Sequence, residues 1–294
     1  MSFSLLSDYP VLPASAKSPL FSIVTVVYNN AVQLEQTIQS LLGQTYQDFE
    51  HIIIDGGSID NFLEVVNRYP DPRISWISEA DYGIYDAMNK GIARSTGKII
   101  GTLNTGDFYL PQTLELVAAA YQQANQSELA IAGDLQMITK SGLLHLDRSA
   151  PGRLKLYFSV HQPGLFVTKT IYEQYGLFDI SYLIAGDYDF ILRIYSLITM
   201  VFLNKTVTQT SPAGVSGDYY AVTREAHRAR LTNNYPPMLS KVVTGGKIVR
   251  ISLHLLLEKL HIWQIWEKIR HQLYVSKSTD LVPYTPTSAT KSDQ

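Results

Sequence analysis

A chain of 294 residues, 46% hydrophobic and 17% charged, is long and apolar enough to bury the core of one large domain or two small ones. Its net charge of -2 leaves no basic excess to neutralise nucleic-acid phosphates, so nucleic acid is not an expected partner. The absence of cysteine excludes disulfides, thiolate metal sites and cysteine nucleophiles.

Residues 1–8 carry no basic stretch ahead of an apolar run, and no apolar stretch reaches the roughly 18 residues that a spanning helix needs. The sequence therefore reads as a cytoplasmic protein without a signal peptide. Residues 1–20, rich in Ser and Pro, read as a flexible leader. From 21 to 28, β-branched and aromatic residues predict a buried strand. Asn29 and Asn30 break it, and Leu34, Ile38, Leu41 and Leu42 then recur at helical spacing. A second strand at 51–54 ends in Asp55, Gly56, Gly57 and Ser58. A short helix at 61–69, a strand at 74–77, a helix at 84–93 and a strand at 98–103 follow. Beyond Pro111 the pattern predicts a helix at 114–121, a strand at 129–137, looser chain over 142–157, a strand at 164–167 and a helix from Asp187 to Tyr195. A last long helix is expected over 247–274, and residues 276–294, rich in Ser, Thr and Pro, read as a disordered tail.

Alternation of strand and helix predicts an α/β fold with a mostly parallel, Rossmann-like sheet flanked by helices. In such sheets ligands bind beyond the carboxyl ends of the strands. The polar clusters fall there: Tyr28 and Asn29 after the first strand, Asp55 after the second, Asn104 to Asp107 after the fourth.

Three clusters carry possible chemistry. In the loop Leu103-Asn104-Thr105-Gly106-Asp107, a carboxylate just past a buried strand suits hard Mg²⁺ or Mn²⁺, although the same residue types also make ordinary turns. In residues 78–91, Asp81, Asp86, Asn89 and Lys90 crowd one helix. Asp86 and Lys90, four apart, make a plain surface ion pair, whereas Asp81 and Asn89 have no such explanation. Asp187 and Asp189 stand at a helix start, where carboxylates either cap the helix or serve as a general base. There is no G-x-G-x-x-G after the first strand, no Walker-type loop, no G-x-S-x-G and no H-E-x-x-H, which removes dinucleotide, P-loop, serine-hydrolase and zincin readings.

In this order and spacing, the strand Ser22 to Asn29, the run Ile54-Asp55-Gly56-Gly57-Ser58-Ile59-Asp60, the block 78–91 and the loop 103–107 resemble the family 2 glycosyltransferases. This is the inverting group with the GT-A fold, and the wording of 54–60 and 81–91 is closest to its bacterial capsule, exopolysaccharide and O-antigen branch. The resemblance implies a hexosyltransferase-like enzyme with a nucleotide-diphosphate sugar as donor and a sugar, free or lipid-linked, as acceptor. It implies that Asp55 bonds the donor's base in a pocket lined by Thr25, Tyr28 and Asn29. Asp81, Asn89 and Lys90 would meet ribose and diphosphate, with Asn104 also on the donor. Asp107 would be the last carboxylate of the family's D-x-D motif and hold a divalent cation, Mn²⁺ or Mg²⁺, with His161 of the His161-Gln162 pair as a further ligand. Asp187 would be the catalytic base. Two departures stand out: Thr105 and Gly106 replace a second carboxylate, and Gly186 stands where Glu is usual before Asp187.

The domain division that follows is a GT-A domain over 21–215, its donor half at 21–110 and its acceptor half at 111–215, then a helical extension over 216–275. In that extension Ile248, Ile251, Leu255, Ile262, Trp266, Ile269 and Leu273 keep to one helical face among Lys and Arg. Such a helix lies in the interface of a cytoplasmic membrane surface, or packs on the domain or a second subunit. The thinned metal motif leaves a catalytically inactive sugar-nucleotide-binding subunit as the alternative function.

Overall fold

The computed structural model describes residues 18–138, 144–150, 154, 159–210 and 218–259. The tail at 276–294, most of the leader, and the part of the last helix beyond 259 lie outside the described residues. The first half follows the expected alternation: β1 (Phe21–Val27), α1 (Ala31–Leu42), β2 (Phe49–Asp55), α2 (Phe62–Asn67), β3 (Ile74–Ser78), α3 (Ile84–Arg94) and β4 (Ile99–Thr102). These four strands lie in the order β3-β2-β1-β4, each pair parallel. Every residue of β1 is buried, as a central strand covered on both faces requires. Val24 and Val26 face one core, with α3, while Phe21 and Ile23 face another, with Leu41 of α1; the two-residue period of the strand divides them. The register sets Val27 beside Asp55 and Asp55 beside Ser78, so three strand ends stop level at one edge.

The second half contains β5 (Asp107–Tyr109), α4 (Thr113–Ala124), β6 (Leu129–Ile138), β7 (Leu144–Asp147), a 3-10 turn at Gln162–Gly164, β8 (Leu165–Thr168), α5 (Lys169–Tyr175), α6 (Gly186–Ile194), β9 (Thr199–Thr210), α7 (Tyr219–Thr232) and α8 (Pro237–Lys259). Here the expectation of a mostly parallel sheet is corrected. β8 pairs antiparallel with both β4 and β6, β7 with β6 and β5 with β9, while β6 and β9 run parallel. The sheet is mixed, in the order β3-β2-β1-β4-β8-β6-β9-β5, with β7 on β6. For β6 and β7 the physical reason is connection length: they are separated by five residues, far fewer than the dozen or so of a parallel crossover. Five elements lacked a periodic signal. β5 and β7 are very short, α5 and α7 had no clear stripe, and β9 is only partly buried over most of its length. The last helix begins at Pro237, ten residues before its expected start, because proline's fixed φ suits a first helical turn.

α3 lies against β1 so closely that a Cβ on Gly91 would stand 2.2 Å from Val24 Cγ1. Gly91→Ala sets a helix-propensity gain of about 1 kcal/mol against an overpacking cost of about 1–3 kcal/mol. Val24 is fully buried and β-branched, so it cannot rotate away. Urea unfolding of the variant is expected to show a net loss of stability.

Candidate active site

The level ends of β1, β2 and β3 build the first part of the site. Asp55, the last residue of β2, is completely buried. Its carboxylate accepts from Ser58 N–H (3.0 Å), from the Ser58 hydroxyl and from the Ser78 hydroxyl (2.6 Å). Three donors on one carboxylate offset its loss of water. Asn29 turns the chain with φ of 49°; its N–H donates to Ser58 Oγ (2.7 Å) and its side-chain oxygen accepts from Ile59 N–H (2.9 Å). Gly56 is closely flanked: a Cβ there would meet Asp81 Oδ2 at 2.5 Å and the Tyr28 ring at 3.3 Å. Tyr28, Gly56 and Asp81 thus form one crevice, with the Tyr28 ring largely exposed. Thr25 lies deeper, fully buried in β1, with its hydroxyl 2.9 Å from His51 Nε2. Burial pushes His51 down to about 3, so that imidazole is neutral.

The block 78–91 is tied to this crevice. Asp81 Oδ1 accepts from Gly83 N–H (2.9 Å), which closes a local turn ahead of α3. Lys90 donates to Ala80 O (2.8 Å) and stands 3.2 Å from Glu79 and 3.3 Å from Asp86. Burial works against its charge, but the Glu79 and Asp86 carboxylates outweigh it and hold the ammonium above its ordinary range. Asn89 is completely buried and clasps the Phe178 backbone in both directions, donating to its C=O (2.9 Å) and accepting from its N–H (3.0 Å). It thereby joins α3 to the segment before α6.

The second part is the loop after β4. Thr105 donates to Val26 O (2.6 Å), and Gly106 takes a φ of 93° that favours glycine. Asp107 begins β5, and burial pushes its carboxyl up to about 7 against the opposing hydrogen bond from Thr210. Gln162, buried in the 3-10 turn, donates to Thr102 O (3.2 Å) and accepts from Asn104 Nδ2 (3.2 Å). Asn104 Oδ1 is buried without a hydrogen-bond partner among the described residues. Among the described residues no group of three His, Cys, Asp or Glu could hold a metal ion. His161 stands 3.0 Å from Asp147 Oδ2 of β7. The oxygen donors that fit a hard cation are therefore Asp107 and the free Asn104 oxygen, which is a partial set. Mg²⁺ is bound in just this way where substrate phosphates and water complete its shell.

The third part is the start of α6. Asp187 Oδ1 accepts from Tyr188 N–H (2.9 Å) and from the Tyr85 hydroxyl (3.0 Å) of α3. Burial pushes Asp187 up to about 6, against those two bonds and the nearby His161. Asp189 faces the other way, buried against Asn233 (2.9 Å) and Tyr182. Glu225 of α7 accepts three backbone N–H groups in a row, from Leu183 (3.0 Å), Ile184 (2.8 Å) and Ala185 (2.8 Å). Tyr85, Ser78, Asp147 and Glu225 were not singled out from sequence. The only signal for Tyr85 was its place inside the 78–91 block. Segment 78–91 joins the first part to the third, and the His161-Gln162 pair joins the second to the third.

Asp187 also carries a stability cost with a defined sign. Its folded value near 6 exceeds the ordinary 3.8, so folding favours the neutral acid and stability falls as pH rises between those values. Asp187→Asn is expected to raise stability above pH 6 by about 1–2 kcal/mol and to change little below pH 4. Thermal melts at both pH values check this.

Comparison with known proteins places this geometry. The profile of Glycosyl transferase family 2 matches residues 22–134. A PGL/p-HBAD biosynthesis glycosyltransferase of Mycobacterium bovis is 30% identical over 187 residues, covering 61% of this chain and 71% of that one. An uncharacterized glycosyltransferase of Mycobacterium tuberculosis is 30% identical over 206 residues, covering 67% and 77%. Among solved structures, Staphylococcus aureus TarS superposes with a TM-score of 0.58 at 16% identity, and the chain spans 42% of its length. The TarS 1-349 fragment in complex with UDP-GlcNAc superposes equally well, with 78% of this chain and 71% of that one covered. The mannosyltransferase PcManGT from Pyrobaculum calidifontis, in complex with GDP-Man and Mn²⁺, gives a TM-score of 0.54 at 14% identity, covering 90% and 86%. A mixed α/β sheet of this fold, with the family's segments brought together at its strand ends, identifies the chain as a glycosyltransferase belonging to glycosyltransferase family 2.

Proposed function

We propose that this enzyme moves a sugar from a nucleotide-diphosphate donor to an acceptor hydroxyl by one inverting displacement, in the assembly of a bacterial surface glycan. The observation that carries the reading is Asp187: a carboxylate at a helix start, held through one oxygen, with burial bringing it near neutrality, where a general base works best. The TarS fragment and PcManGT bind UDP-GlcNAc and GDP-Man, which supports a nucleotide-sugar donor. The part of the Mycobacterium bovis relative in PGL/p-HBAD biosynthesis supports a surface-glycan setting.

In this reading Tyr28, Asn29 and Asp55, with Thr25 beneath them, receive the base of the donor. Asp81 and Lys90 take ribose and diphosphate, and Asn89 holds their helix in place. Ser58 and Ser78 orient Asp55. Asp187 takes the acceptor's proton as the hydroxyl oxygen bonds to the anomeric carbon and the bond to the nucleoside diphosphate breaks. Lys90 offsets charge at the departing group. A divalent cation, Mn²⁺ or Mg²⁺, held by Asp107, Asn104 and the donor's phosphates, would supply further neutralisation of that diphosphate. His161, beside Asp147, serves the Asp187 side of the site in this reading rather than the cation. The alternative, an inactive sugar-nucleotide-binding subunit, draws on the missing three-ligand metal group among the described residues.

Nucleoside diphosphate release from a panel of UDP-, GDP- and dTDP-sugars, with Mn²⁺ or EDTA, tests this. Release from one donor is expected to need the cation and to fall by about 10²–10⁴-fold in Asp187→Asn. Donor-stabilised melting with no release from any sugar would favour the inactive subunit.

A membrane-surface location belongs to the same reading. No helix among the described residues is long and apolar enough to cross a membrane. On α8, however, Met238, Val242, Val249, Leu253 and Leu256 are all exposed, and at 100° per residue they share an arc of about 60°. Lys241 and Arg250 flank that arc, and α8 has four basic residues against one acidic. The arrangement suits an anionic bilayer surface, and two cationic copies would repel face to face. Cosedimentation with phosphatidylglycerol-containing vesicles, absent with phosphatidylcholine alone and lost in Val249→Asp/Leu253→Asp, is the expected result.

A further inference from the structure

The two bonds that hold Asp187 fall on the same oxygen. Oδ1 accepts from Tyr188 N–H at 2.9 Å and from the Tyr85 hydroxyl at 3.0 Å. No hydrogen bond from another described residue reaches Oδ2, which leaves that oxygen for an acceptor. The phenol comes from the first turn of α3, 102 residues away in sequence and on the donor side of the molecule. The single hydroxyl proton is shared between Asp187 Oδ1 and Ile184 O, the nearer at 2.6 Å, and Ile184 is itself fixed through its N–H to Glu225. Tyr85 is buried, and its ring packs 5.5 Å from that of Phe178. The ring has one place to lie.

That place is the space beside Gly186. A Cβ built there would stand 2.8–3.0 Å from three carbons of the Tyr85 ring, closer than real side chains approach. A side chain at 186 would require this ring to shift.

We infer that Tyr85 is a positioning residue for acceptor deprotonation: it holds Asp187 Oδ1 from the donor side and turns Oδ2 toward the acceptor, and Gly186 is the room it requires. The inference rests on Asp187 being the base. The acceptor proton passes to Asp187; Tyr85 keeps its own and acts only through the carboxylate it orients. A base displaced by about an ångström loses much of its rate.

The test measures nucleoside diphosphate release from the donor that the panel identifies, with water as acceptor, over a range of donor concentrations. Tyr85→Phe keeps the ring and removes the hydroxyl. It is expected to lower kcat by about tenfold or more while the donor KM stays within about twofold of wild type. Gly186→Ala, which pushes the ring away by its Cβ, is expected to lower kcat with the same unchanged KM. A kcat within about twofold of wild type in Tyr85→Phe overturns the inference, as does a fall in kcat that merely follows a raised KM and a lowered melting temperature. Asp187→Asn separates the two claims. If it abolishes release while Tyr85→Phe runs at full rate, only the positioning role fails; if it turns over normally, the base assignment fails and the positioning role with it.

Discussion

Everything in the site hangs on how α3 lies against β1. At Gly91 the helix touches Val24 with no space for a side chain, so the helix axis cannot shift without opening the core. From that fixed axis three side chains reach in three directions. Lys90 holds the Ala80 carbonyl and so the approach of Asp81 to Gly56. Asn89 clasps the Phe178 backbone, and Tyr85 reaches Asp187. The crevice at Tyr28, Gly56 and Asp81 and the Asp187 carboxylate are therefore both set by one helix. The Asn89 bonds join buried groups, so leaving one of them unmade costs more than its net contribution when made.

The carboxylates of the site show how burial and partners divide labour. Asp55 and Asp187 both sit at element ends, yet Asp55 receives three donors and Asp187 two, both on one oxygen. Desolvation then dominates at Asp187 and at Asp107, and each is pushed up toward neutrality. A fully satisfied carboxylate makes a rigid acceptor for a base or sugar hydroxyl. A half-satisfied one keeps a free oxygen and a balanced proton affinity, which suits proton transfer or a cation that arrives with its own ligands.

The first hundred residues were legible because each element there obeys a local rule. A central strand buried on both faces reads as a continuous apolar run, and helices with one buried face read at 3.6-residue spacing. The strand ends then marked Tyr28, Asn29, Asp55 and Asn104 directly. The second half was harder to read. β9 runs from exposed to buried along twelve residues, so it shows neither alternation nor a solid apolar run. Without β9, the far edge of the sheet was hidden, because that strand is what joins β5 to β6. Tyr85 was concealed for a different reason: its meaning comes from a contact 102 residues away, and a tyrosine among 19 gives no local sign of it. Gly186 was noticed as a gap in a motif; the structure shows the tyrosine ring standing where a side chain at 186 would lie.

The helices after β9 take part in the same logic. Glu225 of α7 gathers the N–H groups of Leu183, Ile184 and Ala185, the three residues leading into α6. Consecutive N–H groups pointing one way favour an anion, and a carboxylate supplied by α7 meets that need. Arg230, one helical face further along α7, is buried with its guanidinium on the hydroxyls of Ser240 and Thr244 of α8. A buried arginine bonded to neutral groups is tolerated only where those groups are held firmly in place, so α8 steadies α7 as α7 steadies the loop. A chain of polar contacts thus runs from α8 through α7 to the peptide of Ile184, whose carbonyl meets the Tyr85 hydroxyl. Asp187 thus lies where this chain of contacts meets α3, with the Tyr85 hydroxyl touching both its carboxylate and the Ile184 carbonyl.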